Sequence, residues 1–132
     1  MTDVIAIFDI GKTNKKMLRF SENLSLVAQQ EKVFPEITDD DGFPCDDIDA
    51  ITSWIYNSLN RVVKEGEYRI KALNFTTYGA TLVYLDENGK RLTPLYNYLK
   101  EMPKGVLNNF YERYGGIDEF SRQTASPALG ML

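Results

Sequence analysis

The chain begins with a short run in which every side chain is apolar. Residues 4–8 read Val-Ile-Ala-Ile-Phe, and most of these side chains are β-branched or aromatic. Runs of this length and composition are typical of strands buried on both faces near the centre of a sheet. The pattern therefore predicts a first, central strand.

Two more predicted strands follow within a short distance. Residues 16–20 read as the second strand, and residues 24–33, in which apolar and polar positions alternate at first, read as the third. The turn between them, residues 21–23, is short, whereas a parallel return needs a crossover of about a dozen residues or more. An antiparallel three-strand meander is therefore expected.

The middle of the chain carries a helical pattern. Apolar residues recur at spacings of three and four, as on one face of an amphipathic helix. The stripe consists of Ile48, Ile51, Ile55, Leu59 and Val62, and Trp54 and Val63 widen it. Asp46 or Asp47 is placed to cap this helix, and Gly66 is placed to end it. Residues 36–49 form a stretch rich in acidic residues, which predicts a surface loop that leads into the start of the helix.

A further strand is predicted after the helix, over residues 68–75. The order strand, helix, strand favours a right-handed crossover to a parallel neighbour, which makes the sheet mixed. The remaining predicted elements are a hairpin of residues 82–85 and 90–93 about the turn 86–89, a short helix over residues 106–114 that Gly115 and Gly116 end, a few helical residues after Asp118, and a helix start at Ser126 and Pro127.

Composition narrows the chemistry. The 132 residues suit one ordinary domain, and 15 basic against 19 acidic residues give a net charge of −4. Such a balance provides no cationic field for nucleic acid or an acidic membrane surface. One cysteine and no histidine exclude disulfide frameworks, Cys/His zinc sites and histidine bases. The chain shows no signal-type or membrane-spanning apolar stretch, so a cytoplasmic location is the default expectation.

A Gly-Lys-Thr sequence after the first strand raises the question of phosphate binding. A P-loop needs an earlier glycine and a following helix, but Ala6 stands at the glycine position and the residues after Thr13 are strand-like. The alternative is a hairpin tip that binds phosphate. There Gly11 would leave room for the phosphate, Lys12 would supply charge, and Thr13 and Asn14 would supply donors.

Asp9 precedes this tip at the end of the predicted buried strand. A single carboxylate in such a place suits Mg²⁺, which keeps several of its waters. The plainer interpretation of Asp9 and Gly11 is an ordinary hinge between a strand and a turn. Lys12, Lys15 and Lys16 likewise have two interpretations, as phosphate ligands or as a solvated strand edge.

These residues and a second stretch resemble a known family. Residues 9–16, Asp-Ile-Gly-Lys-Thr-Asn-Lys-Lys, are similar to the first phosphate motif of the FGGY carbohydrate kinases, in the superfamily of actin, heat-shock chaperones and hexokinase. Residues 74–100 resemble that family's strand, substrate loop and hairpin, and Thr76-Thr77-Tyr78-Gly79 is most similar to the L-fuculokinase and L-rhamnulokinase branch. The resemblance implies an α/β, ribonuclease H-like (actin-like ATPase) domain, in agreement with the mixed sheet predicted above.

The resemblance also implies an activity: ATP-dependent phosphorylation of a hydroxyl on a small sugar, a ketose or deoxyketose, with Mg²⁺. The residues implied to bind ATP are Asp9, Gly11, Lys12, Thr13, Asn14 and Lys16, with Asp9 also serving the metal. The residues implied to bind the sugar are Thr77, Tyr78, Gly79, Ala80, Thr81 and Tyr98. The family's catalytic base lies downstream, so no catalytic residue is assigned. Residues 1–132 are expected to be the N-terminal part of kinase domain I, incomplete and inactive alone.

Departures from the family pattern leave the sugar undetermined. Thr81 stands where that branch often has an acid, and residues 96–100 replace an aromatic residue followed by Asp and Arg. Tyr78 and Tyr98 either stack on a sugar or serve as strand and core residues.

A rival function is a non-catalytic ribonuclease H-like module that binds a nucleotide or a partner. Such a module would be a natural short domain. An incomplete kinase domain is instead expected to self-associate through exposed apolar surface.

Two remaining features are expected to be structural. The acidic residues 39–41 resemble part of a calcium-binding loop, but Ile37 and Ile48 would stand at its first and last ligand positions. A solvated loop is therefore expected there. Cys45 is expected to be a lone structural or surface thiol, because nothing near it in the sequence marks it as a nucleophile.

Overall fold

Residues 1–128, which the computed structural model describes, form a four-stranded mixed sheet with one long helix on one face and a small separate hairpin. The strands are β1 (Thr2–Ile10), β2 (Lys15–Ser21), β3 (Leu26–Lys32), β4 (Ile37–Thr38), β5 (Pro44–Cys45) and β6 (Tyr68–Thr77). The helices are α1 (Ile48–Glu65), α2 (Lys104–Arg113) and α3 (Ile117–Thr124). No helix among these residues combines the length and apolar character needed to cross a bilayer.

The order of strands in the main sheet is β3-β2-β1-β6. β1 pairs antiparallel with β2 and parallel with β6, and β2 pairs antiparallel with β3. The predicted meander and the predicted parallel strand after the helix are therefore confirmed. β1 is central, but its two faces differ: Val4, Ala6 and Phe8 are fully buried, whereas the residues between them are only half-buried. The prediction of burial on both faces was wrong for residues 1–128, because α1 covers one face alone.

The core lies between the sheet and α1. The ring of Phe8 packs edge-on against Trp54 at 5.4 Å between centroids and stacks on Phe75 at the same distance. Val62 of the predicted helical stripe is buried, but Val63 is 70% exposed. Including Val63 in the apolar stripe was wrong, because each helical step turns the side chain by about 100°. The core residues are Ala6, Phe8, Ile10, Met17, Ile51 and Val62.

Both ends of α1 have the expected caps. The Asp47 carboxylate accepts hydrogen bonds from the backbone amides of Asp49 and Ala50, which have no partner within the helix. Gly66 takes a left-handed conformation with φ of 69° and ends the helix. Of the two candidate caps, Asp47 is therefore the cap, and Asp46 is free for another role.

The acidic segment before α1 is not a simple solvated loop. Within it β4 and β5 pair as a short antiparallel hairpin. Asp39 is buried, where it accepts hydrogen bonds from the amides of Asp41 and Phe43 and lies 2.6 Å from the ammonium of Lys100. The expectation of solvation was wrong for Asp39, because these donors replace the water that its carboxylate loses. Cys45 is buried as well, and its burial and nearby carboxylates raise the pKa of its thiol, which fits a structural role.

The predicted hairpin at residues 82–93 forms only in part. Its turn closes where the Asp86 amide donates to the carbonyl of Lys90, with Gly89 at a φ of 78°. The flanking residues make isolated bridges between Leu85 and Arg91 and between Leu82 and Tyr96, without regular strands. The two strands were wrongly predicted, because no neighbouring strand of the main sheet extends them.

α2 and α3 form a separate helical pair. Gly115 and Gly116 adopt positive φ values of 85° and 95° between them, as the predicted helix stop requires. Rings of Phe110 and Phe120 pack edge-on at 5.1 Å and join the two helices. Ser126 and Pro127 are not helical. The rest of the helix predicted from them falls on residues 129–132, outside the described residues.

Candidate functional site

The turn between β1 and β2, residues 11–14, is closed by its own backbone. The Gly11 amide donates to the carbonyl oxygen of Asn14 at 3.0 Å, and β2 begins at Lys15. A Cβ atom at Gly11 would lie 2.8 Å from that oxygen, closer than side chains tolerate. The glycine is therefore required by this turn. No helix follows it, so the rejection of a P-loop is confirmed.

Asp9 lies just before this β1–β2 turn and faces away from the core. It is half-buried, and its neighbours across the sheet are Lys16 on β2 and Thr76 on β6. Within residues 1–128 no ion pair or hydrogen bond engages its carboxylate. A half-buried carboxylate without a protein partner fits a metal ion that retains its waters. The residues present thus fit the expected Mg²⁺.

The other predicted phosphate ligands are placed differently from one another. Lys16 stands beside Asp9 in the pairing of β1 with β2, and Thr13 is exposed at the tip of the turn. The ammonium of Lys12 instead contacts two carboxylates, at 2.7 Å from Glu36 and 3.4 Å from Asp46. Partial burial acts to lower the pKa of Lys12, but these carboxylates outweigh it and raise the pKa. Lys12 would have to leave Glu36 to contact a phosphate.

A buried polar network joins this turn to the segment before α1. Lys15 is fully buried, and its Nζ donates to the backbone carbonyl of Lys12 at 2.8 Å and to Oδ1 of Asp46 at 2.9 Å. The hydroxyl of Tyr78 donates to the other carboxylate oxygen of Asp46 at 2.5 Å. The buried carboxylate of Asp46 thereby accepts hydrogen bonds from Lys15 on β2 and from Tyr78 after β6.

The charge states of this network follow from its contacts. Burial acts to raise the pKa of Asp46, but the hydrogen bonds from Tyr78 and Lys15 and the charges of Lys15 and Lys12 outweigh it, and the pKa is lowered. Burial, together with the Asp46 carboxylate, raises the pKa of the Tyr78 phenol. Asp46 is therefore ionised and Tyr78 is a neutral donor at neutral pH.

Sequence reasoning missed this network, although one signal was available. Side chains alternate between faces along a strand, so Lys15 shares the core face with Met17, while Lys16 shares the other face with Asp9. A lysine on a core face needs a carboxylate partner. Because Asp47 alone caps α1, the adjacent Asp46 was a nearby carboxylate with no other structural role.

Five of the six predicted sugar-binding residues lie at the end of β6 and directly after it, and the sixth is Tyr98. We refer to residues 77–81 as the β6 loop. The amide of Tyr78 donates to the carbonyl of Ile10 at 3.1 Å, which places the start of this loop beside the end of β1. The ring of Tyr98 lies 6.2 Å from that of Tyr78, and Thr77 donates its hydroxyl to the carbonyl of Tyr78. The structure thus brings these predicted residues together beside the β1–β2 turn.

The remaining residues of the β6 loop differ in exposure. Gly79 and Ala80 are exposed, and Ala80 adopts a left-handed φ of 61° that is uncommon for a residue with a side chain. The hydroxyl oxygen of Thr81 is buried and has no hydrogen-bond partner among the described residues. A cleft of about 320 Å³ lies between this loop and α1. Its lining includes Ile10, Ile51, Phe75, Thr77, Tyr78 and Thr81.

Comparison with known proteins identifies the family. A sequence profile of the FGGY family of carbohydrate kinases, N-terminal domain, matches residues 4–129. The chain belongs to the FGGY family of carbohydrate kinases. The resemblance found in the two motifs is therefore confirmed over almost the whole chain.

Two curated relatives show the extent of the likeness. Gluconokinase of Bacillus subtilis is 27% identical over 128 residues, which cover 96% of this chain and 25% of the relative. A rhamnulokinase of an Enterobacter species is 33% identical over 76 residues, which cover 58% of this chain and 15% of the relative. The chain spans a quarter or less of the length of these relatives.

Solved structures agree on the fold. Gluconate kinase from Lactobacillus acidophilus superposes with a TM-score of 0.72 at 19% identity, over 92% of this chain and 25% of that one. Plasmodium falciparum glycerol kinase with ADP gives 0.73 at 21% identity, over 91% of this chain and 25% of that one. The α/β fold with a mixed sheet, predicted from the sequence, is thereby confirmed.

Proposed function

We propose that the intact protein transfers the γ-phosphoryl group of ATP to a hydroxyl of a small sugar, a ketose or deoxyketose. The observation that carries this proposal is the family match over residues 4–129, in which Asp9 offers a carboxylate without a protein partner beside the β1–β2 turn. The same match does not favour the rival non-catalytic module. Because the reaction consumes ATP, we place it in the cytoplasm.

In this proposal Asp9 and the β1–β2 turn serve the phosphates. Asp9 would hold Mg²⁺ through its waters, and the bound metal supplies charge that neutralises the phosphates during transfer. The Gly11 amide is already used inside the turn. The phosphates would therefore be bound by the amides of Lys12 and Thr13, with Lys16 adding charge from the neighbouring strand and Asn14 adding a side-chain donor.

The sugar would lie against the β6 loop. The exposed backbone of Gly79 and Ala80 and the ring of Tyr98 offer polar and stacking contacts for the hydroxyl groups and ring faces of a sugar. Thr77 already donates its hydroxyl to the carbonyl of Tyr78, so its oxygen would serve as an acceptor, and the buried hydroxyl of Thr81 would have to turn toward the cleft to reach the sugar. Tyr78 contributes its ring, since its hydroxyl is held by Asp46. None of the described residues is assigned as the base. We propose that residues 1–132 are the N-terminal part of kinase domain I and do not turn over substrate alone.

The test is a coupled ADP-release assay on the intact gene product with a panel of ketoses and deoxyketoses. Asp9→Asn should reduce kcat by about a hundredfold or more, because metal-bound charge stabilises the transferring phosphoryl group. Asp3→Asn is the matched control, since Asp3 lies on the same face of β1 but pairs with Arg69 at 2.6 Å.

The two substitutions should therefore separate. Loss of activity in Asp9→Asn with near-normal activity in Asp3→Asn supports the proposal. An intact protein that releases no ADP with any sugar, or an Asp9→Asn variant as active as the wild type, refutes it. Robust turnover by residues 1–132 alone would refute the assignment of this chain as an incomplete kinase.

A further inference from the structure

We propose that Asp46 is a positioning residue that ties the β1–β2 turn to the β6 loop, so that the β6 loop controls how well the turn binds nucleotide phosphates. The proposal rests on the proposed function, because it assigns phosphates to one end of the link and sugar to the other. Asp46 itself would contact neither ligand.

The link to the β1–β2 turn runs through two lysines. Lys15 donates to the carbonyl of Lys12, inside the turn, and to Asp46 at the same time. Lys12 also approaches Asp46 directly, at 3.4 Å. Asp46 thus holds the turn in two ways: indirectly through Lys15, which is bonded to the turn backbone, and directly through the charge of Lys12.

The link to the β6 loop runs through Tyr78. Its hydroxyl donates to Asp46, and its amide donates to the carbonyl of Ile10, the last residue of β1. Tyr78 is therefore attached at both its backbone and its side chain to the elements that carry the turn. A shift of the β6 loop must break or move one of these bonds.

Burial makes the link strong. The side chains of Lys15 and Asp46 are 1% and 3% exposed, so their attraction is little screened by water. Lys12, Lys15, Glu36 and Asp46 contribute two positive and two negative charges, which balance. Loss of Lys15 or Asp46 leaves the other side chain buried with one charged partner fewer, so these two side chains hold the link together.

The decisive variant is Tyr78→Phe, which removes one hydroxyl and keeps the ring. The matched control is Tyr96→Phe, because the Tyr96 hydroxyl also donates to a carboxylate, that of Asp40, at 3.1 Å and away from the network. Calorimetry on the intact gene product measures the affinity for a non-hydrolysable ATP analogue with Mg²⁺ and without sugar. We expect Tyr78→Phe to weaken this binding about fivefold or more and Tyr96→Phe to leave it unchanged.

A second measurement reports on the turn without any ligand. Hydrogen exchange of the Gly11 amide, which is bonded to Asn14, should be faster in Tyr78→Phe than in the wild type or in Tyr96→Phe. If the role of Tyr78 were purely structural, Tyr78→Phe would lower the unfolding temperature without a selective change in exchange at the Gly11 amide.

The outcomes separate the two proposals. Wild-type protein that does not bind the nucleotide analogue counts against the kinase function, and the Gly11 exchange rate then decides on the link alone. If Tyr78→Phe matches the wild type in both nucleotide affinity and Gly11 exchange, the link between the β6 loop and the turn is refuted.

Discussion

The Nζ atom of Lys15 lies 2.9 Å from Oδ1 of Asp46, and both side chains are buried. A charge that has left water stabilises a fold only while it is paired. Asp46 is also 3.4 Å from the ammonium of Lys12 and accepts the hydroxyl of Tyr78. The Asp46 carboxylate therefore contacts two cations and one hydroxyl. Its removal should affect more contacts than the removal of Lys15 alone.

Substitutions at the two ends of this pair should differ in cost. Asp46→Asn leaves Lys15 buried without a countercharge and should lower the free energy of unfolding by about 3–5 kcal/mol. Lys15→Met leaves Asp46 with Lys12 and Tyr78, and its cost should be smaller, about 2 kcal/mol. Urea denaturation of the intact protein measures both values. Equal costs, or the reverse order, would contradict the assignment of Asp46 as the centre of the network.

An exposed pair provides the comparison for this experiment. Arg69 donates two hydrogen bonds to Asp3 at 2.6 and 2.8 Å, but its side chain is 60% exposed. Arg69→Met should cost less than about 1 kcal/mol, because exposed ion pairs are screened and contribute little. A cost as large as that of Asp46→Asn would mean that burial is not the source of the effect.

The same carboxylate predicts a dependence of stability on pH. The pKa of Asp46 is lowered in the folded protein from its ordinary value of 3.8. Between the folded and the unfolded pKa, the unfolded chain binds a proton that the folded protein does not. The contribution of Asp46 is therefore present above about pH 4 and is lost as the pH falls through the folded pKa. Chemical denaturation at pH 3 to 6 should show a shallower acid loss in Asp46→Asn than in the wild type. Parallel curves for the two proteins would contradict this.

The close approach at Gly11 predicts a specific intolerance. Gly11→Ala would place its Cβ 2.8 Å from the Asn14 carbonyl, so the turn must open. We expect a loss of about 2 kcal/mol in unfolding free energy and about tenfold weaker binding of a non-hydrolysable ATP analogue. Gly105→Ala is the control: Gly105 lies in α2 with open space around its Cβ position. That variant should be neutral or slightly more stable. Normal nucleotide binding by Gly11→Ala would show that the turn is not a phosphate site.

Exposed apolar surface predicts the behaviour of residues 1–132 when expressed alone. Leu26, Leu73, Phe75 and Leu82 are each between 42% and 51% exposed. Surfaces of this kind promote association in water. The isolated chain should bind a hydrophobic dye and self-associate in analytical ultracentrifugation. A monodisperse monomer that binds no dye would count against an incomplete domain.

Local patterns in the sequence were sufficient for much of the fold. The apolar run at residues 4–8 predicted β1, and Asp47 and Gly66 marked the ends of α1. These signals act within a strand or within one helical turn, so neighbouring residues are enough to reveal them. The turn at residues 86–89 formed for the same reason. Its flanking strands did not, because regular pairing also requires a neighbour that the sequence does not specify locally.

The candidate site divides in the same way. Asp9 and Gly11 stand two residues apart in one motif, so their relation to the turn was determined by the sequence itself. Lys15 and Tyr78 meet at Asp46 from 31 and 32 residues away. Strand alternation placed Lys15 on the core face, but only the packing of α1 and its preceding segment decided which carboxylate reaches it. The tertiary structure alone decides such a pairing, because the attraction between buried charges depends on their distance in space and not on their separation along the chain.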